Sequence, residues 1–102
     1  MDITTDGPTL TLCGDFDVRS TCQVLDALRD LLDRWREDVV VDLSGVTAID
    51  LTALKVLAFA TRTASREGHH LMLRGCGPSV RRMLHLSRLI RVVEVERQAI
   101  SA

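Results

Sequence analysis

No stretch of this 102-residue chain stays apolar for long. Every hydrophobic run is broken by Lys55 or another polar residue within about ten positions, well short of the ~20 needed to span a bilayer. The opening Met1-Asp2-Ile3-Thr4-Thr5-Asp6 lacks the basic-then-apolar character of a secretory signal. Membrane insertion is therefore not expected, and the cytoplasm is the expected location. Cys13, Cys22 and Cys76 form no C-x-x-C pair, and His69, His70 and His85 show neither H-x-x-x-H nor H-E-x-x-H spacing, so no bound metal is expected. Also missing are G-x-G-x-x-G and G-x-x-x-x-G-K-[ST], which removes the common nucleotide cradles and any cofactor they would imply. A G-x-S-x-G nucleophile elbow is absent as well. These gaps point away from an enzyme. Charge of one sign is not in excess either: the net of −1 argues against direct contact with nucleic acid. Without repeats, linkers or low-complexity segments, one domain is expected over residues 1–102, with a core over about residues 3–96 and a loose C-terminal tail from Glu96 to Ala102.

What is present is the composition of a soluble globular chain, 46% hydrophobic and 26% charged. Charge is distributed unevenly along it. Residues 1–50 carry ten aspartates and Glu37 against four arginines, a net of −7, whereas residues 51–102 carry three acids against nine bases, a net of +6. Two oppositely charged surfaces attracting each other within the fold is the favoured reading. A polarised surface that steers a charged partner is the alternative. Free cysteine is among the most buried residue types, which predicts reduced, core-packed thiols. Cys76, in a Gly-flanked turn, is the most exposed of them by this reading, with Cys13 near it if their strands are neighbours.

The order of elements follows from periodicity. Residues 3–5 and 9–13 are β-branched or alternating around Asp6-Gly7-Pro8, which predicts a hairpin. Val24, Leu25, Leu28, Leu31, Leu32 and Trp35 recur at three and four residues, the stripe of an amphipathic helix, and Ser20-Thr21-Cys22-Gln23 reads as a capping box at its start. The run Val39-Val40-Val41-Asp42-Leu43 suits a strand covered on both faces, followed by a loop over residues 44–49. Asp50 then caps a second helix whose core face is Leu54, Leu57, Ala58, Thr61 and Ala64, ending near Gly68. A strand over residues 70–74, a helix opened by Pro78 and containing Val80, Met83 and Leu84, and a last strand over residues 91–95 complete the chain. Three strand–helix–strand units imply parallel pairing. The fold class is therefore α/β, a small mixed and mostly parallel sheet of four to five strands with helices from βαβ units. The expected core is Leu12, Leu28, Val40, Leu43, Leu54, Leu57, Leu71, Leu73, Leu84 and Val93. Asp15 and Asp17 sit in a strand-to-helix loop, where turn and cap roles outweigh general acid–base work.

The stretch from Val39 through Asp42-Leu43-Ser44-Gly45-Val46 to Asp50-Leu51-Thr52-Ala53-Leu54 resembles the STAS domain of bacterial anti-sigma-factor antagonists. That family carries a buried strand ending in D-L-S-x-V, then an aspartate, a phosphorylatable Ser or Thr, and a helix. Leu12-Cys13-Gly14-Asp15-Phe16-Asp17 is similar to its G-[DE]-L-D turn, Gly77-Pro78-Ser79-Val80-Arg81-Arg82-Met83-Leu84 to its third helix, and Ser87-Arg88-Leu89 to the segment before its last strand. The resemblance covers about residues 3–96 and implies a STAS-like fold. It places the phosphorylated hydroxyl on Thr52, with Asp17, Asp50, Leu51 and Ala53 along the edge where an anti-sigma factor of the serine/threonine kinase type docks. Leu51 stands where the family often has Ser, Thr52 where Ser is more frequent, and Ala53 where Gly is usual. The implied function is a partner switch without catalytic activity: the unphosphorylated chain sequesters the kinase and frees a sigma factor, and a phosphatase acting on phospho-Thr52 resets it. STAS-like subunits also bind the ATPase of lipid-transport ABC complexes, where the threonine tends to follow the aspartate directly; Leu51 in that place favours the antagonist. A non-phosphorylated STAS adaptor is a further alternative. Independently of the resemblance, a phosphate in the first turn after Asp50 would meet the positive end of the helix dipole, worth ~0.3–1 kcal/mol.

Overall fold

A two-residue turn at Gly7-Pro8 reverses the chain between its first two strands. In the computed structural model, which describes residues 1–35 and 37–96, it folds β1 (Asp2–Asp6) back antiparallel onto β2 (Thr9–Phe16). The chain continues through α1 (Thr21–Arg34), β3 (Val39–Ile49), α2 (Leu51–Arg66), β4 (Leu71–Arg74), α3 (Pro78–Leu86), a 3-10 turn (Leu89–Arg91) and β5 (Glu94–Val95). The strands pair in chain order to form a five-stranded sheet, parallel from β2 onward. The α/β class and the mixed, mostly parallel sheet agree with the periodicity. Among the described residues no helix is long and apolar enough to cross a membrane.

Burial alternates along β3. Val39, Val41 and Leu43 are buried, while Val40 and Asp42 are only partly covered. Register carries the same alternation across the sheet. Leu10, Val41 and Leu73 line up on the buried face, and Thr9, Val40 and Met72 on the other. The expectation that residues 39–43 are covered on both faces is thus corrected, and Val40 leaves the core list. Its β-branched side chain suits an extended backbone without deep burial. The other expected core residues are buried, joined by Leu10, Phe16, Val24 and Val80.

Residues 44–49, expected as a loop, continue β3. They keep pairing with β2 because the register shifts twice, between Thr11 and Cys13 and between Gly14 and Asp15. Gly45 is needed in that stretch for close approach: a β-carbon there would lie 2.5 Å from Cys13 Sγ. At the start of α1, Ser20 makes no capping bond. Its backbone is already helical (φ −100°, ψ −9°), and its hydroxyl donates to the Asp15 carbonyl at 3.3 Å, so the capping box does not form. At the end of α2, Gly68 at φ +86° lets its own amide reach Ser65 O and the His69 amide reach Ala64 O, a Schellman stop. The last strand is shorter than expected because the 3-10 turn, entered by Arg88 at φ +65°, occupies residues 89–91. Of the expected loose tail, the part beyond Glu96 lies outside the described residues.

The cysteines also depart from expectation. All three are free, but Cys13 and Cys22 are exposed and only Cys76 is half-buried, where burial pushes its thiol above the ordinary value. Cys13 alternates outward from the buried Leu12, and β3 lies between its strand and β4, so the two thiols are not strand neighbours. No ion pair joins the two charged halves among the described residues; they meet at longer range, as where Arg74 stands opposite Asp42 across β3 and β4. The ion pairs among the described residues, Arg19–Asp17, His69–Glu67, His70–Glu94 and Arg74–Glu96, each stay within one half.

Truncating Leu57, fully buried on α2, to alanine is expected to cost ~2–5 kcal/mol in a urea titration. Val40→Ala, on the half-open face, is expected to cost less than about half as much. Equal losses would contradict the one-sided core.

Candidate functional site

Because β2 and β3 run parallel and finish level, with Phe16 opposite Ile49, the loops that follow them emerge at the same end of the sheet. The Asp50 amide donates to the Phe16 carbonyl at 3.2 Å, the last backbone bond between the two segments. Asp50 is the N-cap of α2, extended at φ −106° and ψ 174°. Its Oδ1 accepts the Ala53 amide at 2.8 Å, as its sequence position predicts. Its Oδ2 does something the sequence does not announce: it accepts the Val18 amide at 3.1 Å, from the loop that leads into α1. One carboxylate therefore closes the start of one helix and holds the loop before another.

Around that clamp the predicted site residues separate into groups. Thr52 is the second residue of α2 and is exposed, and Leu51 beside it is 43% exposed. Among the described residues, neither the Leu51 nor the Thr52 amide has a hydrogen-bond partner, so two donors at the positive end of α2 remain available. Ala53 is different. Its side chain is fully buried, one turn before Leu57 on the core face, so its methyl group cannot form part of an accessible edge. Only its amide takes part in the site, through Asp50.

Asp17 lies in the loop that the clamp holds. The Arg19 guanidinium reaches its carboxylate with Nη2 at 2.7 Å from Oδ2 and Nε at 3.3 Å from both oxygens, while the Arg19 amide donates to Oδ1 at 3.0 Å. The Arg19 side chain holds the Asp17 carboxyl below the usual carboxylate range. Asp15 accepts the Thr47 hydroxyl at 2.7 Å, a structural bond between β2 and β3. Two residues of the site were not anticipated. Arg19 was signalled by its place two residues after an aspartate in a strand-to-helix loop. Val18, 62% exposed beside Asp17, had no signal, because an isolated valine in a loop predicts nothing about which way it faces. Among the described residues, no group of three or more His, Cys, Asp or Glu side chains could hold a metal ion. The arrangement is a surface made of the 17–20 loop and the start of α2, joined through Asp50, with charged, hydroxyl and exposed aliphatic groups.

Comparison with known proteins matches residues 1–94 to the family model described as Mlab, STAS domain. No curated protein sequence matches the chain. Solved structures that share the fold include an anti-sigma factor antagonist from Mycobacterium paratuberculosis, 21% identical, with TM-score 0.77 over 95% of this chain and 84% of that one. SpoIIAA, an anti-sigma factor antagonist, is 12% identical in its unphosphorylated form, with TM-score 0.74 over 95% of this chain and 88% of its own. A sulfate transporter family protein from Wolinella succinogenes is 20% identical, with TM-score 0.68 over 85% of this chain and 73% of that one.

Asp50→Ala is expected to lower stability by about 1–3 kcal/mol, since it removes a helix cap and the bond to the Val18 amide together. Asp50→Asn, which keeps one oxygen acceptor, is expected to retain part of that. A denaturant titration showing Asp50→Ala as stable as wild type would contradict the clamp.

Proposed function

The chain belongs to the STAS domain family, and from that premise we propose that it is an anti-sigma-factor antagonist controlled by phosphorylation of Thr52. The observation that carries the proposal is the Asp50 clamp. It holds the Asp17–Arg19 loop against the start of α2, where Thr52 and Leu51 are exposed in the first turn and Val18 is exposed in the loop. In this reading the unphosphorylated surface binds an anti-sigma factor of the serine/threonine kinase type in the cytoplasm, so that a sigma factor is set free. Val18 and Leu51 supply apolar contact, and Asp17, Asp50 and Arg19 supply charge complementarity and orientation. The chain itself performs no catalytic step.

Phosphorylation would act locally. A phosphate on Thr52 brings about −1.5 to −2 charge and a tightly held hydration shell to a surface that otherwise buries two aliphatic side chains. The two unpartnered amides of the first turn offset part of that charge within the domain, so the fold survives modification. The apolar contact made by Val18 and Leu51 has no such compensation: bringing a phosphate into it requires desolvating that charge, and binding is expected to weaken by about tenfold or more. A phosphatase acting on phospho-Thr52 restores the binding state.

A second reading is a STAS subunit that binds the ATPase of a lipid-transport ABC complex, or an adaptor that is never phosphorylated. The occurrence of the fold in a sulfate transporter family protein supports a transport setting. Leu51, in the place where the threonine of ABC-associated STAS subunits tends to stand, weighs against it.

Incubation with a cognate anti-sigma kinase and ATP is expected to phosphorylate the wild type and leave Thr52→Ala unmodified. Thr52→Ala is expected to bind the kinase as the wild type does, and Thr52→Glu to bind at least about tenfold more weakly. No phosphate on the wild type together with full binding by Thr52→Glu would identify a constitutive adaptor.

A further inference from the structure

The solvent-facing side of α1 carries three aspartates, flanked by Arg29 and Arg34, whereas that of α2 carries bases alone. On α1, Asp26, Asp30 and Asp33 recur at i, i+4 and i+7, and all three are exposed. On α2, Lys55, Phe59, Arg62 and Arg66 recur at i, i+4, i+7 and i+11, all exposed, and no acid occurs from Leu51 to Arg66. Each set forms one stripe along its helix. The two helices lie side by side, and both run back from the end of one parallel strand to the start of the next, so the stripes run in the same direction. Among the described residues, none of these six charges takes part in an ion pair, within its own helix or across to the other. Between the stripes runs an apolar groove floored by Leu25, Leu28, Leu32 and Ala60, with Arg29 on its α1 wall. Phe59 lines it and is 54% exposed, the largest exposed side chain among the hydrophobic residues that stand out of the surface. Arg34, also exposed on α1, lines with Asp30 a cleft toward Thr5 and Gly7 of the hairpin, at the outer edge of this face.

We propose that the α1–α2 face pairs with the same face of a second copy of this chain. Charge complementarity favours a second copy. A two-fold axis running along the groove sets α1 of one copy over α2 of the other, so that the aspartate stripe meets the Lys55–Arg62–Arg66 stripe twice. The same axis brings Phe59 toward its counterpart and covers the two apolar grooves. A face that is acidic on one helix, basic on the next and apolar between is complementary to itself, as an isologous interface requires. Any other partner would have to reproduce the same arrangement. The pairing is that of the chain with Thr52 unmodified; Thr52 precedes Lys55 by three residues, at the N-terminal end of the same side of α2. The pairing leaves the 17–19 loop and the Asp50 clamp, at the end of the sheet, outside the apolar centre of the contact.

Sedimentation velocity on the full chain over a range of concentrations tests the pairing. The wild type is expected to show a reversible monomer–dimer equilibrium that weakens as salt rises. Lys55→Glu/Arg62→Glu/Arg66→Glu makes the α2 stripe acidic like that of α1, with Arg29 and Arg34 unchanged, and Asp26→Lys/Asp30→Lys/Asp33→Lys makes the α1 stripe basic like that of α2. Each triple variant, folded by circular dichroism, is expected to self-associate at least about tenfold more weakly. An equimolar mixture of the two is expected to form heterodimers, and Thr52→Ala to dimerise as the wild type does. A wild type that stays monomeric, whatever other proteins it binds, would overturn the proposal. So would a dimer indifferent to both reversals, or a mixture that fails to recover.

Discussion

The Asp50 carboxylate, shared between two backbone amides, is the contact on which the candidate site of this molecule depends. Parallel pairing of β2 and β3 brings their following loops to the same end of the sheet, but proximity does not fix what the loops do there. Asp50 does, by accepting the Ala53 amide of its own helix and the Val18 amide 32 residues away. Hydrogen bonds from backbone amides to an ionised carboxylate are roughly twice as strong as neutral ones. With both oxygens engaged, the start of α2 and the approach to α1 are held as one unit. The exposure of Thr52, Leu51 and Val18 and the position of the Asp17–Arg19 pair follow from that arrangement.

The rest of the chain keeps this end in place and leaves its surfaces unequal. One face of the sheet is covered by helices and supplies the apolar core, and the other is partly open. Part of the uneven charge along the chain is met within the fold, where Arg74 stands opposite Asp42, but the ion pairs among the described residues stay within each half. The rest is displayed: three aspartates beside two arginines on α1, bases alone on α2, and a compensated Asp17–Arg19 pair at the sheet end. Such a distribution contributes little to stability and more to which molecules approach and in which orientation.

Much of this architecture was legible in the sequence. Periods of 3.6 and 2 gave the helices and strands, and Asp50 before an apolar stripe gave the cap of α2. The departures have physical causes. Gly45 reads as a turn residue, yet here it is a strand residue that makes room for the Cys13 thiol. Val40 reads as core because β-branched residues favour strands on either face. Ser20 has the right chemistry for a cap but the wrong backbone angles for one. The cysteines follow strand and helix phase rather than the general preference of thiols for the interior. At the site, Asp17, Asp50 and Thr52 could be placed from motif positions, whereas the burial of Ala53 required the phase of α2. The Asp50–Val18 bond required the register of β2 against β3, a long-range relation that no local pattern encodes.

Amide hydrogen exchange followed by NMR, comparing wild type with Asp50→Ala, tests the shared carboxylate most directly. Val18 is an exposed loop residue whose amide has no helical or sheet partner, so any protection it shows comes from Asp50. The account predicts that the Val18 and Ala53 amides are both protected in the wild type. Both should exchange faster in the variant, while the amides of β3 and β4 keep their protection. A Val18 amide that exchanges in the wild type at the rate of an unprotected peptide, with Ala53 still protected, would show that Asp50 caps its helix without joining the two loops.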